Sequence, residues 1–170
     1  MLKEFLLEIG TEEIPARFLP PAQEQMREEM IRLLEDLRIA REGIATYATP
    51  RRLVLHGRIA ERQAERAETV LGPPKSAAFT PEGEPTKAAL GFARAKGVRV
   101  EDLQILESGG KEYVGVQIRD QGGEARRLLP DLLPRFITSL SFPKSMRWMD
   151  GDLRFVRPIH WILALFGGEV

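Results

Sequence analysis

The chain switches several times between helical and alternating patterns of apolar residues, and the switches mark its elements. "LKEFLLEIG" (residues 2–10) carries apolar residues on both parities and predicts a mostly buried strand. "TEEIP" follows as a polar turn. A helix of about 20 residues is then predicted within 17–39, where Phe18, Ala22, Met26, Met30, Leu33, Leu34 and Leu37 recur at spacings of three and four. Pro20 and Pro21 fit only its first turn, and Gly43 is expected to close the segment. "IATYAT" and "RRLVLHGRIA" predict two strands separated by Pro50.

Residues 60–85 break the periodicity. "ERQAERAE" is polar, and "LGPPKSAAFTPEGEP" is rich in Pro and Gly, so this stretch reads as a loop or a subdomain boundary. Thr86 is placed to cap a short helix, "KAALGFARAKG", closed by Gly97. "VRVEDLQIL" adds another short element, and "GGKEYVGVQIRD" predicts one arm of a hairpin. A second long helix is predicted within 123–140, with Leu128, Leu129, Leu132, Leu133, Phe136 and Leu140 near one face. Pro130 and Pro134 imply a late start or a kink. "IHWILALFGGEV" predicts a strand, a Gly-Gly turn and the start of a returning strand, which reads as an N-terminal fragment of something longer. The expected fold class is α+β: a mixed or antiparallel sheet with two longer helices packed on one face and a small helical excursion. The expected division is a core of 1–70 plus 111–170 and an excursion of 71–110.

Composition narrows the function classes. No apolar run reaches the roughly 18–20 residues needed to span a bilayer, and acidic residues interrupt the apolar start, so neither a membrane span nor a signal peptide is expected. With no cysteine, disulfides and thiolate metal sites are excluded; two histidines are too few for a convincing zinc site, and a cytoplasmic location is expected. The net charge is zero but uneven: residues 1–50 hold 6 Lys and Arg against 10 Asp and Glu, and residues 51–170 hold 19 against 15. A basic surface in the second part is permitted, not required.

The sequence lacks a Gly-rich phosphate loop, a G-x-S-x-G elbow and an H-E-x-x-H pair, and no catalytic residue is expected. Four stretches carry candidate chemistry of another kind. "EIGTEEIP" (8–15) places carboxylates where they favour a helix N-terminus or meet a partner. "TPRRLVL" (49–55) holds Arg51 and Arg52, either solvated strand residues or a fork for a carboxylate or phosphate. "KAALGFARAKGVRVEDL" (87–103) carries Lys87, Arg94, Lys96 and Arg99, a solvated basic face or a contact tracking a nucleic-acid backbone. The richest window is 141–161: Lys144, Arg147, Arg154 and Arg157 alternate there with Phe142, Trp148, Phe155 and Trp161, and it holds 4 Lys and Arg against 2 Asp. Guanidinium groups beside aromatics suit an RNA contact, a protein interface, or a core with arginines stacked at its edge. His160, on a predicted strand without a ligand partner, reads as structural.

"EIGTEEIP", "PRRL", "PKSMRW" and "FVRPIHWI" occur here in that order, with "GPP" and "PTKAALGFARAKG" between them. In this the chain resembles the bacterial glycyl-tRNA synthetase β subunit, from Phe5 to Gly168. The resemblance implies a subunit several times longer that pairs with a catalytic α subunit in an α2β2 glycine–tRNA ligase. ATP and Mg would be bound by α, so no cofactor and no metal is expected in this fragment. The implied role is to bind and position tRNA-Gly or to assemble with α; the alternative is a purely structural scaffold of the β subunit. The residues expected to contact tRNA or the partner are Arg51, Arg52, Lys144, Arg147, Trp148, Arg154 and Arg157, with Trp148 as the anchor.

Overall fold

The computed structural model describes residues 1–148 and 153–170. Asp150 and Asp152, both included in the charge count of the 141–161 window, lie outside the described residues. The chain forms two units, residues 1–64 with 122–170 and residues 65–121.

In chain order the elements are β1 (Leu2–Thr11), a 3-10 turn (Ala16–Phe18), α1 (Leu19–Asp36), β2 (Arg41–Thr49) and β3 (Arg52–Ala60). Then come β4 (Arg66–Pro74), α2 (Lys75–Ala78), α3 (Lys87–Lys96), β5 (Gln104–Ser108) and β6 (Lys111–Asp120). The first unit resumes with α4 (Ala125–Ser139), the short pair β7 (Met146–Arg147) and β8 (Arg154–Phe155), and β9 (Ile159–Phe166). Its main sheet has the order β2-β3-β1-β9, with every neighbouring pair antiparallel. With the 65–121 unit and the β7–β8 pair set aside, the connectivity is β-α-β-β-α-β, the split βαβ arrangement of ferredoxin-like folds. The fold is α+β, as expected.

One face of this sheet makes the core. Phe5, Leu7 and Ile9 of β1 and Leu53, Leu55 and Ile59 of β3 are buried there against Ala22, Met26, Met30 and Leu34 of α1. Leu129, Leu132, Leu133, Phe136 and Ile137 of α4 complete it. In β1 only the odd positions among Phe5 to Ile9 are fully buried, while Leu6 and Glu8 are half-buried. The apolar residues on both parities therefore overstated the burial of β1, because both helices cover the same face.

Pro20 and Pro21 occupy the first turn of α1, where missing N–H donors cost nothing. The helix ends earlier than Gly43. Arg38 takes the left-handed conformation (φ 56°), and Ile39 N–H donates back to Leu34 O at 2.8 Å. Gly43 instead sits at φ 62° within β2, where the register against β3 shifts between Glu42 and Ala45. α4 begins at Ala125 and runs through both Pro130 and Pro134, so the expected late start does not occur.

The 65–121 unit is a three-stranded antiparallel sheet, β4-β6-β5, carrying α2 and α3. Ala78, Ala89 and Val114 are its buried centre, flanked by Phe79, Phe92 and Leu103. α3 is capped as its sequence dictates: Thr86 Oγ1 accepts from Ala88 N–H at 3.2 Å, and Gly97 closes the helix at φ 68°. The unit is wider than 71–110 because β4 and β6 pair along nearly their whole length, from Arg66↔Asp120 to Pro74↔Tyr113.

Candidate macromolecule-binding surface

Three of the four stretches singled out in the sequence meet at one end of the main sheet. Backbone hydrogen bonds join them: Thr11 N–H donates to Arg51 O (3.0 Å), Ile14 N–H to Pro50 O (2.6 Å) and Glu12 N–H to Pro158 O (3.1 Å). "EIGTEEIP" thus leaves β1 between the β2–β3 turn on one side and the entry to β9 on the other. The β1–β9 register shifts between Gly10 and Thr11, from Gly10↔Trp161 to Thr11↔Ile159, so that His160 of β9 is passed over in the pairing.

Side chains on the sheet's open face continue the cluster. Gly10 lies opposite Trp161 in the β1–β9 ladder, and a Cβ there would fall 1.9–2.3 Å from Cε2, Cδ2 and Cζ2 of the indole. The ring therefore lies flat over the glycine. Trp161 Nε1–H donates to Glu8 Oε1 at 2.8 Å, and the Arg52 guanidinium sits 5.9 Å from the ring centroid. His160 Nε2 and Glu12 Oε1 are 2.8 Å apart. The arginines are held more loosely, with Arg52 3.8 Å from Glu8 and Arg51 3.9 Å from Glu12. Arg51 and Arg52 keep side-chain exposures of 66% and 57%, so both guanidiniums face water.

Arg157 is different. Its Nε donates to Glu13 O (2.8 Å) and its Nη1 to Val156 O (3.0 Å), so it ties the 8–15 stretch to the start of β9. Glu12, Glu13, Pro15, Pro50 and Arg157 line a cleft of about 480 Å³. Arg51 and Arg52 do not line it, and the cluster's three arginines are balanced by Glu8, Glu12 and Glu13.

Of the remaining predicted residues, Arg147 and Arg154 belong to the β7–β8 pair, and Lys144 and Trp148 flank β7. Lys144 and Arg154 are exposed, and Arg147 stands directly opposite Arg154 in the two-residue ladder. Arg154 Nη2 donates to Ser145 O at 3.3 Å. Trp148 is half-buried against the main core and its Nε1–H donates to Phe155 O at 3.0 Å. Phe155 and Val156 are fully buried, with Phe142 edge-on to Phe155 at 5.1 Å between centroids. Around β7 and β8 the aromatics Phe142, Trp148 and Phe155 pack into the core while Lys144, Arg147 and Arg154 stay at the surface; Trp161 is 41% exposed on the sheet's open face. In α3, Lys87, Arg94 and Lys96 are exposed, and Arg99 pairs with Asp102 at 3.1 Å.

Sequence reasoning did not find the partners of Trp161 and His160. Their carboxylates lie 153 and 148 residues away in the chain. The signal that was present is Gly10, a glycine inside a strand, which marks a close approach. Among the described residues no three His, Asp or Glu converge as metal ligands, and no helix is long and apolar enough to cross a membrane.

A family model described as glycyl-tRNA synthetase beta subunit matches residues 5–170. Over its full length the chain is 52% identical to the glycine–tRNA ligase beta subunit of Moorella thermoacetica. The corresponding figures are 50% for the subunit from Desulforamulus reducens and 52% for that from Desulforudis audaxviator. In each case the match covers 100% of this chain and 25% of the relative, so the chain spans about a quarter of the length of these curated relatives.

Proposed function

The chain belongs to the glycyl-tRNA synthetase beta subunit family, and from that premise we propose that it is a macromolecule-gripping module of a cytoplasmic glycine–tRNA ligase. Its part is to bind and position tRNA-Gly within an α2β2 assembly. Glycine activation, with ATP and Mg, takes place on the α subunit, and this module makes no bond itself.

The observation that carries the reading is the β7–β8 pair. Arg147 and Arg154 face each other across the ladder with Lys144 close in sequence. Exposed guanidinium and ammonium groups gathered on and beside one short ladder suit charge-assisted, bidentate contact with a backbone phosphate. Arg52, exposed beside the Trp161 indole, and the exposed Arg51 next to it in the chain supply a second cationic contact of the kind that suits a backbone phosphate next to a stacked base.

Particular residues favour the scaffold reading instead. Arg157 spends its donors on the carbonyls of Glu13 and Val156, and Trp148 spends its N–H on Phe155. These two hold the module together, and the gripping role falls to Arg51, Arg52, Lys144, Arg147 and Arg154. The test is direct binding of tRNA by the chain, beside a pull-down with the α subunit. Saturable, salt-sensitive tRNA binding supports the reading. Capture by α with no RNA binding replaces it with an assembly role, and neither result leaves only the scaffold.

A further inference from the structure

β9 is an edge strand whose outer side is unfinished. Its inner side pairs with β1 in the register Phe5↔Phe166, Leu7↔Ala164 and Ile9↔Ile162. Directly opposed residues share a face, so Phe166, Ala164 and Ile162 lie on the core side with three fully buried partners. Yet Ile162 is 51% exposed. Further along β9 an apolar groove of about 230 Å³ opens between α4 (Leu129, Pro130, Leu133) and β9 (Ala164, Phe166), with Glu169 and Val170 also lining it. A core-facing isoleucine half in water and a helix overhanging an unpaired strand edge are what a sheet shows when it is one strand short.

The chain already turns toward that edge. Gly167, at φ 62°, and Gly168 form a two-residue loop. Phe166 N–H donates to Glu169 O (3.0 Å) and Glu169 N–H to Phe166 O (3.2 Å). Arg126 of α4 meets Glu169 at 3.1 Å and fixes the direction of return. The relatives are about four times as long as the part matched here, which supplies the necessary polypeptide.

The geometry points to a fifth antiparallel strand on the free edge of β9, formed by the segment that follows Val170 in a chain as long as its relatives. The hairpin fixes its register. Val170 falls opposite Leu165, the second residue after Glu169 opposite Ala164, and the fourth opposite Ile162. The second and fourth face the groove under α4 and must be apolar; the residues between them face the open side. This inference does not depend on the RNA reading, because it rests on the hairpin, the edge and the groove.

Site-resolved hydrogen exchange tests it. Since Phe166 N–H points at Glu169, strand alternation aims the N–H groups of Ala164 and Ile162 at the same edge, and those of Leu163 and Leu165 at β1. In the isolated subunit carried to the length of its relatives, at low concentration, Ala164 and Ile162 should exchange at least roughly tenfold more slowly than in the 170-residue chain. Leu163 and Leu165 should be protected in both, which confirms that the sheet is formed. Equal exchange of Ala164 and Ile162 in the two chains overturns the inference. So does protection that appears only on adding the α subunit, or only on raising the concentration, since the edge would then be covered by a different molecule.

Discussion

Gly10 lacks a side chain because the indole of Trp161 fills that space. Gly10→Ala must therefore expel the ring or bend the strand, at a cost of about 1–3 kcal/mol of the kind overpacking imposes. In a Trp148→Phe background the emission of Trp161 should shift to the red, and chemical denaturation should show the loss. In a Trp161→Ala background the same glycine substitution should cost much less, a coupling that a double-mutant cycle reads directly. Acid sensitivity is also a residue-scale matter. Lys3, 2.8 Å from Glu61, holds that carboxyl below its ordinary 4.5, and Glu61 in turn raises Lys3 above 10.5. A depressed carboxylate contributes stability that is present above its unfolded pKa and lost as pH falls through its folded pKa; a raised amine loses its contribution as pH rises through its own. The melting-temperature gap between the native chain and Glu61→Gln should thus be present near neutral pH and shrink below pH 4.5 and above pH 10.5.

At the scale of elements, the sequence was legible wherever burial imposed a period. α1 announced itself through Met26, Met30 and Leu34, and α4 through Leu129, Leu133 and Phe136, because a helix against a sheet must present one apolar face. The α3 caps were equally plain, since Thr86 and Gly97 are chemically suited to those two positions. β4 left no such trace. Most of Arg66–Pro74 is exposed and none of it is fully buried, and its conformation comes from pairing with β6, which one-dimensional patterning does not register. The arginine cluster was half legible: Arg51 and Arg52 stood out, but their long-range neighbours Glu8, Glu12 and Trp161 became visible only once β1, β3 and β9 were side by side. The element that matters most to the core is α4. Phe136→Ala, at a fully buried position, should lower unfolding free energy by about 3–5 kcal/mol in equilibrium denaturation. Thr86→Ala, which removes both the cap on α3 and the hydroxyl's donation to Ala77 O (2.7 Å) in the other unit, should cost about 1–2 kcal/mol.

For the whole molecule, the 65–121 unit enters and leaves through adjoining strands. Arg62 and Glu124 form a β-bridge, Gln63 N–H donates to Gly123 O at 2.9 Å, and Gly123 N–H donates to Gln63 Oε1 at 2.8 Å. Replacing residues 65–121 with a two-residue Asn-Gly turn should leave the ferredoxin-like unit folded, with one cooperative unfolding transition and the 1–64 plus 122–170 amides protected as before. If those amides lose protection, the two units are interdependent for folding.

The proposed grip on RNA runs from exposed cations to backbone phosphates, and its most direct measure is the salt dependence of tRNA binding. The native chain is compared with a variant in which Arg51, Arg52, Lys144 and Arg154 are all changed to Ala. Arg157 is left in place because it tethers Glu13 to the start of β9. Log affinity against log salt should be linear for both. The variant's slope should be shallower by roughly one for each phosphate it no longer neutralises, with its unfolding midpoint little changed. Identical slopes and affinities, in a variant equally stable, would contradict the account.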